Sequence, residues 1–255
     1  MQIRRGKGRK RFKKGIFILP SIFTSLSLVC ALYSITSSLQ MQFLNASWAI
    51  IIAAAFDAMD GRIARLTRSV SRFGEQYDSL VDMVSFGVAP GLLIYLASLQ
   101  PFGRWGWLAT FLYIICVALR LARFNVQHQF MESKYFQGLP SPPAAAMIAT
   151  TVILLSSLGI ADIKNSAMPV ITCVLALLMV STIRYNSFKD FDFRKRRPFH
   201  VLVGLVVLLI LLLGEAETIL FIAAAGYSLS GPIAYIYYLR QRGKKPYTEL
   251  ADESK

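Results

Sequence analysis

The sequence predicts an all-α, polytopic integral membrane protein with about eight transmembrane helices and both termini in the cytoplasm. Three observations carry this reading. Of the 255 residues, 55% are hydrophobic and only 16% are charged, against about 45–50% and about 25% in soluble domains. The apolar residues are gathered into runs, most of them long enough to cross a bilayer as helices. Finally, every one of the 28 Lys and Arg residues except Arg104 and Lys164 falls in a segment that alternation of the runs puts on one side. The positive-inside rule makes that side the cytoplasm. A disordered chain, a small disulfide-stapled module and an ordinary soluble α/β enzyme are all excluded.

The elements follow in order. Residues 1–15 form a basic cytoplasmic segment holding Arg4, Arg5, Lys7, Arg9, Lys10, Arg11, Lys13 and Lys14. The apolar run behind it exceeds the 7–15 residues of a signal-peptide core and lacks an Ala-x-Ala cleavage site, so it reads as a retained span. Spans are expected at 16–39, 46–62, 77–99, 105–121, 143–159, 167–183, 199–213 and 216–239, the seventh short enough to be tilted or incomplete. Together they make one transmembrane domain, 16–239. Residues 188–198 read as a cytoplasmic loop, and 240–255 as a cytoplasmic tail.

A formal charge of +14 raises the question of nucleic acid, but the basic residues sit beside spans rather than on an aromatic-studded patch. Their role is orientation and attraction to anionic lipid, about 1 kcal/mol per basic residue near the surface; no nucleic-acid partner is expected. Cys30, Cys116 and Cys173 are far apart inside apolar runs. Their number and spacing give neither a disulfide framework nor a metal site.

Five of the 14 acidic residues fall between Asp57 and Asp82. Charges within membrane spans are expensive and mark function. Asp57 and Asp60 are three apart near the end of the second span, and Asp78 and Asp82 are four apart near the start of the third. Each spacing puts its pair on one helix face, and a short connection lets the two faces meet across an antiparallel hairpin. Converging carboxylates take up protons, pair with arginines (Arg62, Arg65, Arg68 and Arg72 are near) or hold cations. Oxygen ligands without His or Cys suit hard ions such as Mg²⁺, Ca²⁺ or Mn²⁺. Two such ions balance four carboxylates and can clamp a phosphoryl displacement. Gly61, Ala64 and Gly74 leave room beside the cluster for a bulky ligand, and Arg65 lies within reach of a phosphate.

Asp57, Asp60, Gly61, Ala64, Arg65, Gly74, Asp78 and Asp82 form the pattern D-x2-D-G-x2-A-R-x8-G-x3-D-x3-D. With no position missing, it resembles the signature of the CDP-alcohol phosphatidyltransferase family, which moves a phosphatidyl group from a CDP-linked lipid to a small alcohol and releases CMP. The resemblance implies that Asp57, Asp60, Asp78 and Asp82 hold two divalent cations, Mg²⁺ or Mn²⁺, and that Asp82 is also the base for the incoming hydroxyl. It implies contacts to the CDP-lipid from Gly61, Arg65, Ser71 and Gly74, and from Ser21 and Thr24 in the first span. There the family often has Pro-Asn-x-x-Thr, and here Ser21 stands in place of Asn. It implies a homodimer as well. A cytoplasmic site in the cell (inner or plasma) membrane fits a donor with its tails in the bilayer and its nucleotide in the cytoplasm.

The family's acceptors include serine, glycerol 3-phosphate, inositol or its phosphate, choline and ethanolamine. Three further stretches, 82–90, 120–125 and 136–144, resemble the branch that uses L-serine. They imply phosphatidylserine as the product. A zwitterionic acceptor needs a cation and polar partners, for which Arg120, Arg123, Asn125 and Ser85 are the candidates; charge alone leaves glycerol 3-phosphate open. An ion-coupled transporter is the rival from another class, but its site belongs near the midplane of an inverted repeat, and no repeat is visible. A membrane protein held together by an Asp–Arg hairpin, with no nucleotide site, is the other rival.

Overall fold

The computed structural model describes residues 18–67, 71–128, 135–159, 167–186 and 198–242. The basic segment 1–15, Arg68, Lys134, Lys164, the loop 187–197 and the tail from 243 lie outside them, as do the side chains of Arg65 and Arg72.

Helix α1 (Ile18–Leu39) carries small residues at helical spacing, and α2 (Phe43–Thr67) does the same. Thr24, Ser27, Ala31, Ser34 and Ser38 are buried along α1, and Ala46, Ala49, Ile50 and Ala53 along α2. Small side chains let two backbones approach closely, which is the usual source of helix association where lipid competes for apolar surface. Ser27 Oγ donates to the Ala53 carbonyl (3.1 Å) across this seam. On the other side of α1, Val29, Leu32 and Tyr33 are exposed, the apolar face a lipid environment requires.

The third span is one continuous helical rod with changing pitch: α3 (Arg72–Asp82), a π-helical turn (Met83–Val88), α4 (Ala89–Ile94), a second π-turn (Tyr95–Leu99) and a 3₁₀ turn (Gln100–Phe102). It starts five residues before the expected span. Ser71 caps it, its extended backbone leaving the side chain to accept from the Gly74 N–H (3.0 Å), which satisfies one orphan donor of the first turn. Helix α5 (Arg104–His128) runs back and buries Tyr113 and Val117 against Phe86 in the core.

Next come β1 (Tyr135–Gln137), α6 (Ser141–Ser157), α7 (Ala167–Val180), β2 (Arg184–Asn186) and α8 (Pro198–Arg242). The strands pair antiparallel, Tyr135 opposite Asn186, joining loops that the charge pattern assigned to one side. The sixth expected span ran to 183, but α7 stops at Val180. Its terminal carbonyls, which have no partners within the helix, are taken by other groups: the Leu139 N–H donates to Leu178 O (3.0 Å), and Arg123 Nη1 to Val180 O (3.1 Å) and Ser181 O (3.4 Å). Gly138 makes the passage possible, since at φ +81 a Cβ would run into the Met179 carbonyl.

Five described helical stretches are long and apolar enough to cross a membrane: Ser21–Leu39, Phe43–Ala64, Phe73–Phe102, Arg104–Val126 and Glu215–Tyr237. Ser141–Ser157 and Ala167–Val180 are apolar but shorter. Helix α8 is broken at Glu215, where φ −142 and ψ 52 depart from helix, between the expected seventh and eighth spans. Its second half is fastened to β2: Tyr185 donates its hydroxyl to Ser228 O (3.1 Å). Burial, with Tyr227 adding to it, pushes the Tyr185 phenol up to about 12, so it remains a donor at neutral pH. The three cysteines are free.

Candidate active site

The hairpin of α2 and α3 does bring the acidic pairs together. One carboxylate oxygen each from Asp57, Asp60 and Asp78 lies within 4.8 Å of the others. Asp60 is buried, and Thr24 Oγ1 of α1 donates to its Oδ2 (2.8 Å). Asp82, one turn further along α3 than Asp78, lies within hydrogen-bond reach of Asp57 and has Asp57, Asp78 and Arg120 as charged neighbours. The Oδ1 atoms of Asp78 and Asp82 are buried with no hydrogen-bond partner among the described residues.

Ionised carboxylates at 4.8 Å repel by about 3.5 kcal/mol per pair at an effective dielectric of about 20. A cluster with two unpartnered buried oxygens is therefore built for something that supplies positive charge. The donors are all oxygens and their separations are short, as divalent hard cations require. The residues present fit a metal site.

The surroundings hold this arrangement rigidly. The Ser71 cap fixes the first turn of α3. Tyr77, beside Asp78, is 3.0 Å from Ser25 Oγ of α1. Ser79 exchanges hydrogen bonds with Asn125 of α5 (3.0–3.1 Å). Immediately after Asp82 the rod widens into its first π-turn, an irregularity frequent at functional sites, and Tyr113 donates to the Phe86 carbonyl within it (2.9 Å). Opposite Asp82, Arg120 is only 9% exposed and donates from Nη1 to Ser141 Oγ (2.7 Å), while its Nε has no partner among the described residues.

The expected acceptor residues therefore separate. Arg120 faces Asp82. Arg123 holds the end of α7 and also bonds Gln137; Asn125 is paired with Ser79; Ser85 is fully buried, 3.4 Å from Ser27 Oγ. Among the expected CDP-lipid residues, Thr24 orients Asp60, Ser71 caps α3, and Ser21 is half-buried with its carbonyl accepting from Ser25 Oγ (2.8 Å). Gly74 sits inside the first turn of α3 rather than in a loop. Gly61 is exposed, and a Cβ there would meet nothing within 4 Å. Tyr113, Tyr227 and Ser141 carry no sequence signal of their own: buried aromatics and a serine before two prolines have no periodicity that marks them.

Residues 17–178 match the CDP-alcohol phosphatidyltransferase family model. The chain belongs to the CDP-alcohol phosphatidyltransferase family. With this membership and its apolar helices, it is a multi-pass membrane protein. Three similar members of the family carry the name CDP-diacylglycerol–serine O-phosphatidyltransferase. That of Helicobacter pylori (strain J99) is 35% identical over 191 residues, 74% of this chain and 81% of its own. That of Methanocaldococcus jannaschii is 35% identical over 176 residues, 69% of this chain and 80% of its own. That of Bacillus subtilis (strain 168) is 32% identical over 171 residues, 67% and 91%.

Membership gives Gly61 a testable reading. In an exposed helix interior, alanine is favoured over glycine by about 1 kcal/mol. Gly61→Ala is therefore expected to leave the thermal midpoint unchanged or raised, while the KM for the CDP-lipid rises at least tenfold. If Gly61 leaves room for the donor, as the family resemblance implies, a methyl there would intrude on the lipid's pyrophosphate. An unchanged KM would remove Gly61 from the donor site.

Proposed function

We propose that the protein is a CDP-diacylglycerol–serine O-phosphatidyltransferase, transferring the phosphatidyl group of CDP-diacylglycerol to L-serine with release of CMP. The observation that carries the reading is the carboxylate cluster on the α2–α3 hairpin with Arg120 beside Asp82, in a chain whose relatives bear that name. Asp57, Asp60, Asp78 and Asp82 would hold two divalent cations, Mg²⁺ or Mn²⁺. When bound, these neutralise pyrophosphate charge and make CMP a better leaving group.

The chain's own residues do the rest. Asp82 accepts the proton of the serine hydroxyl, as a carboxylate within hydrogen-bond reach can. The hydroxyl oxygen forms its bond to the phosphatidyl phosphorus while the bond from that phosphorus to the CMP oxygen breaks, so direct displacement needs no covalent enzyme intermediate. Thr24 keeps Asp60 turned toward the cluster. Gly61 leaves room for the donor, Arg65 reaches its phosphates, and Ser71, Gly74 and Ser21 border it. Arg120 receives the serine carboxylate; Arg123, Asn125 and Ser85 contribute by holding α5, α7 and the π-turn around it.

In the same reading eight spans make one domain, 16–239, with the 1–15 segment, the tail and the site on the cytoplasmic face of the inner or plasma membrane, and the protein acts as a homodimer. Supporting a common face for the site and the ribbon, Arg120 beside Asp82 and Arg123, which bonds Gln137 of β1, are three residues apart on α5.

The test is CMP release by purified protein supplied with CDP-diacylglycerol, Mn²⁺ or Mg²⁺, and one acceptor at a time. Release stimulated by serine and abolished by chelation is the expected result. Stimulation by glycerol 3-phosphate, inositol or choline instead would replace the acceptor. No release with any of them from folded protein would sink the reading.

A further inference from the structure

The family match ends at residue 178, yet the second half of α8 is built into the site. Helix α8 packs along α6, whose first residue, Ser141, is the hydrogen-bond partner of Arg120. Tyr185 of β2 lies where Gly231 has no side chain, since a Cβ there would run into its ring. That ring meets Tyr227, with centroids 5.8 Å apart. Tyr227, half-buried and packed on the core, is thereby held within electrostatic reach of the Arg120 guanidinium.

Arg120 thus has Ser141 on Nη1, Asp82 and Tyr227 as neighbours, and an Nε that is buried without a partner among the described residues. A buried donor left unsatisfied carries its full desolvation penalty, which an incoming anionic oxygen relieves. A carboxylate matches a guanidinium edge with two oxygens, and the phenol within electrostatic reach of that guanidinium is a further donor.

We propose that Tyr227 is a specificity-determining residue for the acceptor: its hydroxyl donates to the acceptor carboxylate alongside Arg120, so that α8 takes part in selecting an acceptor that carries a carboxylate. This rests on the serine reading above. With its carboxylate between Arg120 and Tyr227, the acceptor turns its hydroxymethyl group toward Asp82, the other neighbour of the same guanidinium.

The experiment measures KM and kcat for serine, and KM for CDP-diacylglycerol, in wild type, Tyr227→Phe and Tyr227→Ala. One hydrogen bond to a charged group is worth a factor of about ten or more. Serine KM is therefore expected to rise about tenfold in Tyr227→Phe and at least as much in Tyr227→Ala, with kcat within about twofold and the lipid KM unchanged. A merely structural tyrosine would move both KM values together or lower the thermal midpoint. An unchanged serine KM in either variant that folds, beside an active wild type, overturns this inference and leaves the serine reading standing. A wild type without serine-dependent CMP release overturns both.

Discussion

Asp82→Asn is expected to lower kcat for serine-dependent CMP release by two to four orders of magnitude, the range a positioned general base contributes. The substitution is nearly isosteric, so packing at the end of α3 and the start of the π-turn should survive, and CDP-diacylglycerol binding should remain measurable. What disappears is the proton acceptor and one negative charge. Asp82 is distinguished from the other three aspartates by its place. Asp57, Asp60 and Asp78 form the tight oxygen cluster, whereas Asp82 reaches from that cluster to Arg120. The comparison variant is Asp57→Asn, whose lost activity should be partly recovered by raising Mn²⁺, because it removes a charge from the cation site and not the base. Asp82→Asn should not recover with metal. A variant keeping more than a tenth of wild-type kcat would place the base elsewhere.

The four aspartates were legible because charge is rare in apolar runs and because spacings of three and four residues have one meaning on a helix. The split of α8 at Glu215 was legible for a similar reason, an acidic residue between two apolar stretches. Other features had no such signal. The π-turn at Met83–Val88 is a change of hydrogen-bond register within the backbone, and its sequence is as apolar as the α-helix that follows. The strands Tyr135–Gln137 and Arg184–Asn186 are too short for a period and pair across α6 and α7. The start of α3 was placed too late because the apolar run begins near Tyr77, whereas the helix is set by the Ser71 cap, one polar side chain on one N–H. Arg123 and Asn125 show the deeper limit. A polar residue near the end of a span has the same composition signal whether it binds a substrate or ties helices together, and the Val180 carbonyl beside Arg123 and the Ser79 hydroxyl beside Asn125 are contacts that this signal does not contain.

Arg120→Lys is expected to raise the serine KM about a hundredfold while lowering kcat by less than tenfold. Lysine keeps the positive charge opposite Asp82, so the electrostatic surroundings of the base change little. It loses the planar fork: a single ammonium cannot both hold Ser141 Oγ, as Nη1 does at 2.7 Å, and present an edge to a carboxylate, which is why the exchange is not conservative at a bidentate site. Two hydrogen bonds to a charged group, each worth about a factor of ten, set the size of the effect. Arg120→Met should behave differently. It keeps much of the volume but strips the cation from a buried carboxylate cluster, and leaving buried charge uncompensated costs about 3–5 kcal/mol. Both kcat and stability should then fall. Serine titrations of the two variants, with thermal midpoints measured beside them, separate the roles. If Lys and Met fall equally in kcat and neither changes the serine KM, Arg120 serves the carboxylates and not the acceptor.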